Sequence, residues 1–202
     1  MKKNTFPSFS LRLLLLACVL AFLCGPTDAL SAEKAVAVPH AIGDVIDSYH
    51  GATVHFNGPV GNVTERNVAP NGYNLGQKYQ CVEFVKRYYY HVYNHEMPDS
   101  YGNAKDFFDS RLPDGGFNKA RSLLQFVNGG LERPQTGDIL IFGPASFNRF
   151  GHVAIVSEVT PSDIEYIQQN PGPKEPSRKR LAFIDKSTTL KSSRLLGWLR
   201  KQ

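Results

Sequence analysis

Residues 76–90 read GQKYQCVEFVKRYYY, and the rest of the chain is best understood from this stretch. Val82, Val85, Tyr89 and Val92 recur at spacings of three, four and three, the period of a helix with one apolar face. Glu83, Lys86 and Arg87 are expected on its outer face. Cys81 then occupies the first turn, where unpaired N–H groups and the positive end of the helix dipole lower a thiol pKa from its usual value of about 8.5. Such a thiolate is a nucleophile that needs a positioned imidazole to protonate the group it displaces. It should be alkylated quickly by iodoacetamide at pH 6 to 7.

Six histidines are available. His40 lies in a leader, and His91 and His95 follow on the same helix, beyond reach at about 1.5 Å of rise per residue. His50 and His55 lie at a strand expected over 48–57 (SYHGATVHFN), where an odd offset puts them on opposite faces; no acidic or cysteine cluster joins them, so no metal is expected. His152 begins the strand expected over 151–159 (GHVAIVSEV), directly after a loop, and is the best partner for Cys81. An imidazole in this role is oriented through its other nitrogen by an acceptor on a neighbouring strand. Gln168, Gln169 and Asn170 end the next strand, 163–169 (DIEYIQQ), and Glu165 and Glu158 are the nearest carboxylates. Tyr88, Tyr89 and Tyr90 point in three directions on a helix and are explained by packing.

Further helices are expected over 104–111 and 117–127, the latter stopped by Asn128-Gly129-Gly130. Short apolar or alternating runs at 137–142 (GDILIF), 181–184 and 195–199 read as additional strands. Residues 61–78 and the Pro-rich 170–177 (NPGPKEPS) read as loops. The class expected is α+β, with N-terminal helices packed on an antiparallel sheet of five to six strands.

The chain has 202 residues, 42% of them hydrophobic and 11% aromatic, which excludes a disordered chain; three cysteines exclude a disulfide framework. Lys2 and Lys3 precede a run, LRLLLLACVLAFLCG at 11–25, whose apolar core is shorter than a membrane span needs. Residues 1–32 therefore read as a secretory signal peptide cut after Ala32 or Ala29, with Leu15-Leu16-Ala17-Cys18 loosely resembling a lipobox. Residues 33–48 read as a leader and 49–202 as one domain. Removing Lys2, Lys3, Arg12 and Asp28 leaves 20 basic and 17 acidic residues, a net charge of +3, which does not indicate nucleic acid. An exported chain that keeps only Cys81 has no partner for a disulfide, so its thiol needs another reason to be there.

The blocks GQKYQCVEFVKRYYY, TGDILIF, GHVAIV and IQQN resemble the motif series of the cysteine, histidine-dependent amidohydrolase/peptidase (CHAP) family. They are similar in particular to the amidase domain of bifunctional glutathionylspermidine synthetase/amidases, with Leu196-Gly197-Trp198 matching near the end. The resemblance spans roughly residues 49–199. It implies a papain-like fold, with Cys81 as nucleophile and His152 as general base and acid. It also implies Gln168 as the orienting residue, supported by Asn170, and an oxyanion hole from the Cys81 N–H with Gln80. At position 168 the similar proteins carry Glu. An amide oxygen fixes the tautomer but stabilises imidazolium less than a carboxylate, so Gln168→Glu is expected to leave activity unchanged or raise it.

Together these readings describe an exported cysteine amide hydrolase, periplasmic or extracellular, that needs no cofactor. Its substrate is a cell-wall peptide, with peptidoglycan as the partner, or a small γ-glutamyl-type peptide amide. A glutathionylspermidine-type amide is the alternative. A reading of another class is a weakened fold that only binds cell wall or a protein.

Overall fold

The computed structural model describes residues 40–185 and 187–202. The stretch read as a signal peptide, 1–32, and residues 33–39 of the stretch read as a leader lie outside them.

The helical period at 81–91 produces α1 (Cys81–Tyr93), the one α-helix among the described residues. It ends at Asn94, which adopts a left-handed φ of 47°. Phe84, Val85, Tyr88 and Tyr89 are buried against Ile139, Ile141, Val153 and Ile155 of the sheet. The opposite face is covered as well, so the outward placement of Glu83, Lys86 and Arg87 is corrected: they are 1%, 1% and 9% exposed. Burial of these charges is sustained by partners. Arg87 Nε donates to Glu83 at 2.6 Å, and Asn67 and Gln169 donate to the same carboxylate at 2.7 and 2.8 Å. Lys86 donates to the carbonyls of Asn74 and Ser100.

The strand expected over 48–57 is a hairpin of β1 (Val45–Tyr49) and β2 (Ala52–His55). Its two-residue turn, His50-Gly51, has φ of 46° and 81°, the positive values that tight hairpins demand. β1 thus starts inside the stretch read as a leader. A second hairpin, β3 (Arg66–Val68) with β4 (Asn74–Gln77), lies in the stretch read as loop and packs on α1. Gly76 permits that contact, because a Cβ there would sit 3.1 Å from the Glu83 backbone.

The main sheet comprises β5 (Gly116–Asn118), β6 (Leu123–Val127), β7 (Ile139–Phe142), β8 (His152–Val159), β9 (Asp163–Ile167), β10 (Arg178–Ala182) and β11 (Leu195–Arg200). Their order is β10-β9-β8-β7-β11-β6-β5, every pairing antiparallel. β7 is buried on both faces: Ile139 and Ile141 meet α1, while Leu140 and Phe142 join Trp198, Phe126 and Val156 on the other side.

Two expected helices are absent. Residues 104–111 form only a 3₁₀ turn, Ala104–Phe107. Residues 117–127 form β5 and β6, because Ser122 takes a left-handed φ of 54° and the run Leu123–Val127 finds a partner in β11. Pairing outweighed the helical spacing, as it does where strand neighbours supply the contacts. The architecture is therefore mostly sheet with one helix, with seven strands where five to six were expected. No described helix is long and apolar enough to cross a membrane.

Glu83→Ala leaves the Arg87 guanidinium buried without its counter-ion. The variant should lose about 3–5 kcal/mol of stability, measured by urea unfolding; a loss below 1 kcal/mol would show that this network holds nothing together.

Candidate active site

Cys81 is the first residue of α1, preceded by Gln80 in extended conformation (φ −77°, ψ 160°). Its sulfur faces three backbone N–H groups, of Val153, Val82 and Cys81 itself. Those donors favour the thiolate, yet burial outweighs them and pushes the thiol up from its usual value. The expected lowering is thus reversed: the helix terminus is present, but the low-dielectric surroundings win. Cys81 is the one cysteine among the described residues, unpaired and 7% exposed.

His152 opens β8 after Gly151, whose φ is 76° and whose Cβ, if present, would lie 2.6 Å from the Phe142 carbonyl. Only glycine fits there. His152 pairs in register with Phe142 and its ring packs 6.1 Å from that phenyl ring. Nε2 lies 2.9 Å from Gln168 Oε1. The orientation of the Gln168 amide is fixed independently: its Nε2 donates at 2.9 Å to the Pro176 carbonyl, which can only accept. The oxygen therefore faces His152, His152 Nε2 carries the hydrogen, and Nδ1 presents a lone pair. Burial pushes the imidazole down to about 4; the Gln168 bond opposes this, and the Arg194 and Lys179 charges add to it. At neutral pH the ring is uncharged and Nδ1 is a base.

Asn170 does not join Gln168 at the imidazole. It adopts a left-handed φ of 57°, and its amide donates at 2.8 Å to Val60 O and at 2.8 Å to Gln80 Oε1. Gln80 directs both hydrogens of its amide away from Cys81, to Asn62 O at 2.6 Å and Val60 O at 3.3 Å. This leaves backbone N–H groups at the start of α1 as the donors beside the sulfur. Glu158 and Glu165 are engaged with Arg180 and Arg178 on the sheet surface. His50 sits in the hairpin turn, not on a strand, and His55 uses both nitrogens on Gly43 O and Thr53 Oγ1.

Gln169, which carried no role in the sequence, is fully buried and joins the two halves. Its oxygen accepts from His55 N and Arg87, and its nitrogen donates to Gln80 O and Glu83. A Gln on an apolar strand next to two other amides was the available signal.

A cavity of about 820 Å³ is lined by Cys81, and one of about 500 Å³ by His152 and Gln168. Val60, Phe147, Asn148 and Asn170 line both, so the two are halves of one groove. Val153, whose backbone N–H favours the Cys81 thiolate, directly follows His152 on β8, though no hydrogen bond links sulfur and ring.

Two measurements follow from this geometry. Unfolded histidine takes up a proton near pH 6.5, whereas folded His152 stays neutral down to about 4, and burial lowers His95 too. Between those limits the unfolded chain binds more protons, so stability, complete above about pH 6.5, falls as acid is added; thermal melts should show a falling Tm from pH 7 to 4.5, with a shallower slope in His152→Gln. The Pro176 contact also reverses the expectation for Gln168→Glu: an oxygen replacing the amide nitrogen would face the carbonyl across 2.9 Å. That variant should lose on the order of 1–3 kcal/mol and a measurable part of its activity, and unchanged melting would show that the Pro176 contact does not constrain position 168.

The endolysin PlyTW of Staphylococcus phage Twort is 31% identical over 90 residues, 44% of this chain and 18% of that protein. The bifunctional glutathionylspermidine synthetase/amidase of Escherichia coli is 33% identical over 98 residues, 48% of this chain and 16% of that protein. The matched stretch is less than a fifth of either relative's length. A solved structure, the crystal structure of Ly7917, is 20% identical with a TM-score of 0.31, covering 47% of this chain and 40% of that one. The CHAP domain family matches residues 70–170, half of the chain and the half that contains Cys81, His152 and the 167–170 run, and the chain belongs to that family.

Proposed function

We propose that the protein is a cysteine-dependent amide hydrolase in which Cys81 attacks, His152 moves the proton and Gln168 holds the imidazole. The observation that carries this reading is the tautomer imposed on His152. With Nε2–H committed to Gln168 and Gln168 committed to Pro176, the basic nitrogen is Nδ1. It belongs to the residue beside Val153, whose backbone N–H is one of the groups that favour the Cys81 thiolate.

Because burial raises the thiol and lowers the imidazole, the resting pair is neutral and the proton moves during attack. As Nδ1 takes the thiol proton, sulfur adds to the amide carbonyl carbon and the oxygen becomes an anion at the backbone N–H groups of the α1 terminus. Nδ1–H then protonates the amide nitrogen, the C–N bond breaks and the amine leaves. Nδ1 next deprotonates a water, which attacks the thioester and releases the acid and the free thiol. Asn170 and Gln80 act as positioning residues that hold the loop at Val60 against the helix start.

Cell-wall peptides are the substrate class we favour, supported by the likeness to an endolysin and by the export signal read in residues 1–32, which implies a periplasmic or extracellular site of action. The likeness to a glutathionylspermidine synthetase/amidase favours a second substrate of the same reaction type. Digestion of purified peptidoglycan followed by mass spectrometry should reveal new amine and carboxyl ends with the wild type. Cys81→Ala should be slower by on the order of 10³-fold or more; equal digestion by that variant would remove the thiol from the mechanism, and binding without digestion by either would leave a binding module. The raised thiol makes a separate forecast: alkylation of free Cys81 by iodoacetamide should be slow at pH 7 and accelerate only above the usual thiol range of about 8.5.

A further inference from the structure

Cations outnumber acids in the lining of the groove. Beside Cys81 its lining includes Arg66 and Arg149 and no acid; beside His152 it includes Lys179, Arg180 and Arg194 against one acid, Glu175. Most of these cations are already engaged. Lys179 is paired with Glu175 at 2.7 Å, and Arg180 with Glu158 and Asp163 at 2.7 and 2.5 Å. Arg66 donates to Asn74 Oδ1 at 2.8 Å.

Arg194 differs. Its Nη2 donates to the Gly143 carbonyl at 3.1 Å and its guanidinium packs 5.2 Å from the Phe147 ring. Its Nε is buried with no acceptor, and it has no acidic partner among the described residues. A backbone carbonyl and an aromatic ring thus hold a full positive charge in place, without a counter-ion, in the cavity that His152 lines. The side chain is partly exposed, so an anion entering the cavity meets a fixed cation with no carboxylate competing for it.

The chemistry says which part of a substrate meets it. His152 must hand its proton to the departing nitrogen, so the amine half lies in the His152 cavity and the acyl half in the Cys81 cavity. Resting on the amidase reading above, we infer that Arg194 selects substrates whose leaving amine carries a carboxylate, as an amino acid or peptide does, and turns away polyamine leaving groups. A carboxylate accepts two parallel hydrogen bonds from a guanidinium, a geometry that a lysine or an amide does not reproduce. The bound anion also offsets the Arg194 charge that disfavours protonated His152, so the correct substrate makes the imidazole a better proton carrier.

The test uses the stem pentapeptide L-Ala-γ-D-Glu-L-Lys-D-Ala-D-Ala, the same peptide with every carboxylate converted to carboxamide, and glutathionylspermidine. The wild type should favour the carboxylate form over the carboxamide by about tenfold or more in kcat/KM and cleave glutathionylspermidine more slowly than either. Arg194→Gln should bring the two peptides within about twofold of each other, and a thermal melt close to that of the wild type shows that the variant folds. Arg194→Lys should fall between. Equal rates in the wild type, a preference that survives in Arg194→Gln, or faster glutathionylspermidine cleavage would overturn the inference and leave the amidase reading standing. If none of the three is hydrolysed, the amidase reading fails on these substrates, and calorimetry with the same peptide pair decides: tighter carboxylate binding that Arg194→Gln abolishes supports the inference, and equal binding ends it.

Discussion

Gln169 sits where the helix, the first hairpin and the main sheet meet, and it uses its whole amide there. Two acceptor sites take hydrogens from His55 and Arg87, and two donors reach Gln80 and Glu83. Because the Glu83–Arg87 pair is out of water, each partner depends on the other and on this amide. The consequence is positional: the first turn of α1, which carries Cys81, is pinned to the end of β9, which lies beside the strand carrying His152. Residues 168, 169 and 170 then serve three directions in sequence, toward the imidazole, the helix and the loop at Val60, and the left-handed backbone at Asn170 makes the last of these possible.

That same enclosure sets the electrostatics. A helix N-terminus alone would favour a thiolate, and an imidazole beside it would favour an ion pair. Burial acts against both charges at once, raising the thiol and lowering the imidazole. A neutral resting pair protects the thiol from oxidation, since the thiolate is the reactive form. It also moves the charge-separating step into the reaction itself, where backbone N–H groups are already directed at the sulfur end of the groove and need no reorganisation.

The sequence was most legible where a local pattern had only one reading. The apolar period beginning at Val82 marked α1, and the alternation in 151–159 and 163–169 marked β8 and β9 with His152 at a strand start and Gln168 just beyond the next. It was least legible where long-range contacts overruled spacing. Leu123 to Val127 looks helical until Trp198 and its neighbours in β11 supply a pairing partner. Glu83 and Lys86 look solvated until the second hairpin covers them, and Arg87 until Thr53 of the first does, and nothing local announces that cover. The His50-Gly51 turn escaped because His-Gly is not one of the usual two-residue hairpin signals, Asn-Gly, Asp-Gly or Gly-Gly. Gln80 and Asn170 were assigned to the chemistry, whereas their side chains bond to one another and to the loop.

The amide at position 168 is intelligible only together with the loop that follows it. A glutamate has no hydrogen to give, and at neutral pH it would meet the Pro176 carbonyl as an anion facing a partial negative charge. A glutamine gives that carbonyl a hydrogen and keeps its oxygen for His152. Gln168 also accepts constraint from the main chain, because its N–H donates at 2.8 Å to Ser177 O. A fold that carries a carboxylate here must therefore present an N–H, or water, where this one presents a proline carbonyl. The residue that orients the imidazole and the path of residues 170–177 form one unit, so a change at 168 is compatible with function only when the Pro176 carbonyl moves with it.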